Sequence, residues 1–326
     1  MNQTNMVQFE KPNLAALTKQ YTVVDLHYHT RHSDGQATVE QVAEHARSLG
    51  IGVAITDHNE IKGALEIDAY DDILSIPGIE ITSREGTHLL VYFYDTNSLK
   101  AFYQKDIQPY MGHTVMSSIS LTIEEIVLRA RTYKTLIVFP HPFSAVYTGI
   151  CNFYFSKERL AKIFELVDGV EVINAENMHK WNLKSAVLGF NIEKSMTGGS
   201  DGHKLKDMGN AVCYAACDGN RAAFLDALRQ RSNKVVGKEI AILEKVTSNG
   251  AKLKININNY PDLIEKNIKY GYTVLHSKSI SARTTMKQHF SRGLKRRISR
   301  LIPAYGWLRY GHNLAALIYL LPLITG

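Results

Sequence analysis

The stretch Asp25-Leu26-His27-Tyr28-His29-Thr30-Arg31-His32-Ser33-Asp34-Gly35 constrains this chain most. It closes an apolar run and sets His27, His29 and Asp34 within eight positions. In an extended strand, residues i and i+2 share a face, so His27 and His29 aim the same way. So many ligand-type side chains at one strand end imply a site that other strands must also reach.

The order of elements supplies those other strands. Thr22–Leu26 reads as a strand, followed by a helix over Val39–Leu49 with a capping box at Thr38 and Gln41 and a glycine stop at Gly50. Ile51–Thr56 is the next strand and ends in Asp57-His58-Asn59, with a short helical stretch over Glu60–Ala69 after it. Ile73–Ile81 is a third strand, broken or placed at an edge by Pro77. The short turn Ser83–Thr87 links it to His88–Tyr94, which predicts an antiparallel hairpin with Glu80 and His88 on one sheet edge. Residues 97–134 read as mostly helical, with a helix start at Thr122-Ile123-Glu124-Glu125. Strands then follow at Leu136–Phe139, Gly169–Ile173 and Lys194–Thr197, separated by helices over Lys157–Leu166 and Lys180–Leu188. They end in Pro140-His141-Pro142, in Asn174-Ala175-Glu176-Asn177 and in Ser200-Asp201-Gly202-His203. A strand-like Asn210–Cys217 and a helix Arg221–Gln230 finish the unit. About seven strands alternating with helices predict an α/β fold. The polar clusters fall just past the strand ends all along the chain, which favours a closed, distorted barrel over a doubly wound sheet.

Charge divides the chain in two. The net charge is +7, yet no Asp or Glu follows Glu265 and eleven Lys and Arg do, which leaves residues 1–265 at −4. An acidic body suits a site that gathers cations, and a basic tail suits an anionic surface. Three cysteines, Cys151, Cys213 and Cys217, are too few for a disulfide framework, and the opening residues lack a long apolar core. Reduced thiols and a cytoplasmic setting are the expectation.

Collected from the strand ends, the candidate metal ligands are His27, His29, Asp34, His58, Glu80, His88, His141, Asp201 and His203. Imidazole and carboxylate without thiolate suit Zn²⁺, Mn²⁺ or Fe²⁺. Nine ligands exceed the needs of one ion and predict two or three. Asp57 either orients its neighbour His58 or caps the helix that follows. For a substrate phosphate, Arg84 in the hairpin turn is the best-placed cation. Arg31, His179 and Lys180 come next, and Asn174 is a hydrogen-bond candidate for substrate or water. His32, His45 and His113 read as ordinary histidines, and Cys213 with Cys217 as an apolar pair.

These motifs, in this order, resemble the PHP (polymerase and histidinol phosphatase) family over about residues 21–240. The carriers are Asp25-Leu26-His27-Tyr28-His29-Thr30 with Ser33-Asp34-Gly35, then Thr56-Asp57-His58-Asn59, Pro77-Gly78-Ile79-Glu80, His88, Pro140-His141-Pro142 and Ser200-Asp201-Gly202-His203. The resemblance implies a distorted TIM-like (β/α)₇ barrel and a trinuclear metal site. It implies that His27, His29, Glu80 and Asp201 hold one ion, that Glu80 bridges to a second held by His88 and His141, and that Asp34, His58 and His203 hold the third. It further implies phosphoester hydrolysis by a metal-bridging hydroxide, on a phosphomonoester or small nucleotide. Catalysis would then involve Asp57 and Arg84 beside the metal ligands.

The expected organisation is an N-terminal extension over 1–20, a metallophosphoesterase barrel over 21–240 and a basic, partly helical C-terminal extension over 241–326. Thr285–Ile302 reads as a basic amphipathic helix, and Leu314–Ile324 is an apolar run too short to span a bilayer. The tail suits peripheral membrane or protein contact through residues 280–326, with nucleic acid a third possibility. The competing functional reading is a regulatory or scaffold module tethered through this tail. The presence of all nine ligands argues for catalysis instead.

Overall fold

Local signals set the elements as their chemistry dictates. The Thr38 hydroxyl accepts the Gln41 N–H at 3.1 Å and the Gln41 side chain accepts the Thr38 N–H at 3.0 Å, which starts the helix Val39–Leu49. Gly50 ends it at φ +68°, a conformation glycine adopts without steric cost. Thr122 and Glu125 build the same box ahead of the helix Ile123–Ala130. Residues 97–134 are less helical than their sequence predicts. After the helix Thr96–Phe102 come one π-helical turn and one 3₁₀ turn ending at Tyr110, and the chain is irregular from Met111 to Leu121.

The computed structural model describes residues 6–144, 148–151 and 155–240. Its strands are β1 (Val7–Gln8), β2 (Thr22–Tyr28), β3 (Gly52–Ile55), β4 (Gly78–Thr82), β5 (His88–Phe93), β6 (Thr135–Phe139), β7 (Gly169–Asn174), β8 (Ser195–Gly199), β9 (Ala211–Ala215) and β10 (Lys234–Gly237). The expected hairpin is present: β4 and β5 are antiparallel, with Thr82 opposite His88 and Glu80 opposite Leu90. The strand expected over Ile73–Ile81 is confined to β4. Pro77 offers no N–H and immediately precedes it, and Ser75 makes only an isolated bridge to Val53.

The closed barrel is corrected. The described strands form two mixed five-stranded sheets, in the orders β1-β10-β9-β2-β3 and β4-β5-β6-β7-β8. Between them the ladder is reduced to isolated bridges, Val53 with Ser75 and His58 with Glu80 on one side and Tyr28 with Gly202 on the other. The backbone leaves extended geometry at these seams, where Asn59 and Asp201 have φ of +46° and +51°. Backbone hydrogen bonds still tie the strand ends together there, Asn59 N–H to the Glu80 carbonyl at 2.8 Å and Asp201 N–H to the His27 carbonyl at 2.8 Å. One hydrophobic core joins the two sheets, taking Val24 and Leu26 from β2, Val91 from β5, Ile137 from β6 and Ile173 from β7. A second core seats the helix Val39–Leu49 on β2 and β3 through Val42, Ala46, Val53 and Ile55. The first residues also join the sheet, because β1 pairs in parallel with Val235–Val236 of β10. No helix among the described residues is long and apolar enough to cross a membrane. The expected tail elements, Thr285–Ile302 and Leu314–Ile324, lie outside the described residues.

Asp68 fastens the sheet's surroundings. Its carboxylate accepts the Ser75 hydroxyl at 2.8 Å, the Thr96 hydroxyl at 2.7 Å and the Arg221 guanidinium. Partial burial would raise its pKa, but the hydrogen bonds from Thr96 and Ser75 and the Arg221 charge hold it below the usual carboxylate range. Asp68→Asn should cost about 1–3 kcal/mol at neutral pH, read by denaturant unfolding. The sign follows from the depressed pKa. The ionised form's advantage is full above the unfolded value of about 4 and is lost as pH falls through the lower folded value. A deficit of equal size at neutral pH and at ~pH 2 would contradict this assignment.

Candidate metal centre

The C-terminal end of β2 is shaped to deliver two rings to one point. The strand shifts register against β3 between Asp25 and Tyr28, and the Leu26 carbonyl accepts the Tyr92 hydroxyl at 2.7 Å. The loop after β8 locks onto it: Asp201 N–H donates to the His27 carbonyl at 2.8 Å and His29 N–H to the Gly202 carbonyl at 3.0 Å. Asp25, fully buried, accepts the backbone N–H groups of Ser200 and Gly209 at 2.9 Å each. Its burial pushes its carboxyl up to about 6. His27 and His29 then converge with their Nε2 atoms 3.1 Å apart, both fully buried.

Glu80, in the middle of β4, is the hub. Its Oε1 lies 2.9 Å from His88 Nδ1 and 3.4 Å from His141 Nε2. Its Oε2 lies 3.0 Å from His58 Nδ1, 3.4 Å from His29 Nε2 and 3.5 Å from His27 Nε2. Asp34 faces the other side: Oδ2 is 3.1 Å from His203 Nε2, and Oδ1 is 3.7 Å from His58 Nε2. Asp201 Oδ1 is 3.1 Å from His29 Nε2 and 3.6 Å from His27 Nε2. The His29 ring stacks between those of His58 and His203, each with its centroid 4.6 Å away.

All nine residues singled out in the sequence thus meet in one place. Three overlapping groups offer ligand atoms within 4.8 Å of one another: His29, Asp34, His58 and His203; His27, His29 and Asp201; and His58, Glu80 and His88. This grouping differs in detail from the expected partition, since His29 also approaches Asp34 and His58 also approaches Glu80. Asp201 and His88 are the more open ligands, at 15% and 14% side-chain exposure, against 1% for Glu80.

Electrostatics follow from packing carboxylates and imidazoles out of water. Burial would lower the pKa of His27, but Asp201, Glu171 and Glu80 overcome it and leave His27 well above its ordinary value. Burial opposes the charge on His58 too, yet Glu80 and Asp34 push it up to about 9. His29 goes the other way, down to about 3, through burial and the neighbouring His203. Burial would raise Glu80 and Asp34, but the surrounding histidines hold both well below the carboxylate range.

The donor set also shows what it lacks. His29 Nδ1, Asp34 Oδ1, His58 Nδ1, Glu80 Oε2, His141 Nδ1 and His203 Nε2 are buried atoms with no directed hydrogen-bond partner. Buried polar atoms are almost always satisfied, and five of these six belong to residues of the ligand groups above, which fits cation binding. The chemistry of the set, imidazole with carboxylate, fits divalent zinc, manganese or iron.

The remaining sequence candidates lie around this point rather than in it. Asp57 is buried beneath the β2 loop and accepts the Thr30 N–H at 2.7 Å, the Thr30 hydroxyl at 2.6 Å and the Ser33 hydroxyl at 2.6 Å. It shapes the Thr30–Ser33 bridge between His29 and Asp34. Arg84 is exposed on the β4–β5 turn, where its charge is felt by Glu124 and Glu125. His179 is exposed and pairs with Glu239 at 3.1 Å, while the Lys180 ammonium lies 5.0 Å from the Trp181 ring. Arg31 is exposed on the bridge. Asn174 donates its amide to Glu171 at 2.8 Å and to Asp201 at 3.1 Å. Glu171 escaped the sequence reading, although it touches His27. Its signal was a lone acid inside the otherwise apolar strand Gly169-Val170-Glu171-Val172-Ile173.

Comparison with known proteins agrees with this geometry. Residues 25–178 match the model of the PHP domain, and residues 179–233 match that of the PHP-associated segment. An uncharacterized protein of Methanocaldococcus jannaschii is 28% identical over 167 residues, covering 46% of this chain and 81% of that protein. A lesion-specific endonuclease from Pyrococcus furiosus superposes with a TM-score of 0.54 at 18% identity, over 66% of this chain and 58% of its own. A two-domain Bacteroides vulgatus protein containing a predicted PHP-like metal-dependent phosphoesterase superposes with a TM-score of 0.51 at 16% identity, over 75% of this chain and 73% of its own. At these identities the two superpositions speak to the fold.

Proposed function

This chain belongs to the PHP family, and from that premise we propose that it is a metal-dependent hydrolase of phosphoesters, acting on a phosphomonoester or a small nucleotide. One observation carries the reading: nine imidazole and carboxylate groups from six sequence motifs converge, eight of them in overlapping ligand groups and His141 against Glu80, with six of their buried atoms left without directed hydrogen bonds. His27, His29, Glu80 and Asp201 would hold one divalent ion, Glu80 with His88 and His141 a second, and Asp34, His58 and His203 a third. Such ions, when bound, supply a nucleophile from water near neutral pH and neutralise charge on phosphoryl oxygens.

The chain's own residues do the rest. Asp57 pins the Thr30–Ser33 bridge so that Asp34 faces His203 and His58. Glu80 keeps five rings turned inward by its negative charge. Asp201 and His88, the more open ligands, are the ones a substrate phosphate would meet first. Arg84, on the rim formed by the β4–β5 turn, is the cation we assign to the substrate phosphate. Within the basic C-terminal extension, residues 241–326, the stretch 280–326 is assigned to peripheral contact with a membrane or protein partner. Residues 21–240 are assigned to the hydrolase.

The test is metal analysis of the purified protein combined with a screen of phosphorylated metabolites and nucleotides. Two or three divalent ions per chain are expected, with hydrolysis lost on chelation and restored by zinc, manganese or iron. His29→Ala and Asp201→Ala should each abolish hydrolysis while far-UV circular dichroism stays native. Full activity in the double variant would overturn the assignment.

A further inference from the structure

The carboxylate of Glu171 is 1% exposed and lies against the Nδ1 side of the His27 ring. It touches two of the segments that carry ligands and one further residue of its own strand, Asn174. Its Oε1 lies 3.0 Å from His27 Nδ1, on β2. Its Oε2 accepts the backbone N–H of His141, just past β6, at 2.9 Å, and the Asn174 amide, at the end of β7, at 2.8 Å. Asn174 extends the frame by donating also to Asp201 at 3.1 Å. Oε2 is thus taken up by two N–H donors, which leaves Oε1 to accept from the His27 ring.

This arrangement has a consequence for which atom of His27 can bind an ion. With Nδ1 occupied by Glu171, only Nε2 is free to point inward. Nε2 is the atom that faces His29 Nε2, Glu80 Oε2 and Asp201 Oδ1, at 3.1, 3.5 and 3.6 Å. His141 needs the same support, because its backbone stands at φ +30°. That conformation is uncommon for a residue with a Cβ and persists only where surrounding contacts enforce it.

We propose that Glu171 is the positioning residue of this centre, fixing His27 as an Nε2 ligand and tying His27, His141 and, through Asn174, Asp201 into one rigid frame. The proposal rests on the metal-centre reading and deepens it. Partners of this kind orient a ligating imidazole and raise its basicity, and their loss typically costs 10–100-fold in metal affinity. The loss should be local. The ion near His27 would weaken, whereas the group of Asp34, His58 and His203 makes no hydrogen bond to Glu171 and should keep its affinity.

The experiment is a chelator competition with zinc on the full chain, comparing wild type with Glu171→Gln and Glu171→Ala. In Glu171→Gln the side-chain amide must set its NH₂ either against the His27 ring N–H or against the two donors at Oε2, so it cannot reproduce the frame. About 10–100-fold weaker binding of one ion, with the remaining stoichiometry unchanged, supports the proposal. Wild-type affinity for every ion in both variants overturns it. A second measurement needs no variant: histidine side-chain ¹⁵N correlation spectra of the zinc-loaded wild-type protein. A proton on His27 Nδ1 with zinc on Nε2 supports the assignment, and zinc on Nδ1 overturns it even if the variants fail to fold. If the wild-type chain takes up no divalent ion, the metal-centre reading itself falls, an outcome distinct from intact uptake by the Glu171 variants.

Discussion

Glu80→Gln should empty the centre more thoroughly than the loss of any single histidine. The carboxylate lies within 3.5 Å of ring nitrogens from five histidines, His27, His29, His58, His88 and His141. An amide of the same size keeps the packing but removes the charge that turns those rings inward. Removing one partner from a buried charge cluster costs about 3–5 kcal/mol. If that loss falls on ion binding, affinity drops by roughly two to four orders of magnitude. Ion content after dialysis and kcat/KM at saturating metal read this directly. Retention of the wild-type ion content and rate would remove Glu80 from the hub role.

The metal-free protein gives an independent reading with a definite sign. Glu80 helps push His58 up to about 9, above the ordinary imidazole value of 6.5. A raised folded pKa adds stability that is fully present below the unfolded value and is lost as pH rises through the folded one. The stability deficit of Glu80→Gln should therefore be largest below about pH 6.5 and should shrink toward pH 9. Denaturant midpoints of the chelated proteins across that range would show it. A deficit that grows as pH rises would contradict it.

Gly199→Ala should damage the site without touching any ligand. A Cβ at this position, the last residue of β8, would stand 2.4 Å from His27 Cβ, 2.7 Å from His27 N and 3.1 Å from Glu171 Oε1. The first two neighbours belong to the backbone and the root of a buried ring, so neither can step aside by rotating a flexible side chain. Either β8 retreats from β2 or the end of β2 moves. Overpacking of this kind costs about 1–3 kcal/mol. A displacement of about 1 Å at a reacting centre can cost about 10²-fold in rate. Gly219→Ala is the matched control, because a Cβ there meets nothing within 4 Å. The expected result is a lower denaturant midpoint and about a hundredfold lower kcat/KM for Gly199→Ala, with Gly219→Ala near wild type. Equal behaviour of the two variants would show that the β2–β8 contact does not position His27.

These expectations draw on what was readable in one dimension and what was not. The ligand set was readable because its members sit in short motifs, most of them at strand ends where periodicity changes and polar residues cluster; Glu80, in the middle of β4, is the exception. The helix Val39–Leu49 was readable from its capping box and its glycine stop, which are local devices. The β4–β5 hairpin followed from a five-residue link that permits little else. Sheet closure was not readable. Alternating strands and helices suit a barrel, but closure depends on whether neighbouring strand ends stay in register. Here, with Pro77 and the turned backbone at Asn59 and Asp201, the seams hold only isolated bridges.

By itself, the sequence determined which residues could form a metal centre, because residue type and spacing are local properties. Only the tertiary structure decided how they share it. Glu80 became the hub by lying between five rings delivered from different segments, and Asp57 became a brace because the β2 loop folds over it. Arg84 came to stand on an exposed turn, and a carboxylate inside an apolar strand, Glu171, reached behind His27. Those roles depend on distances between residues far apart in the chain, which pairing and packing set and no motif encodes.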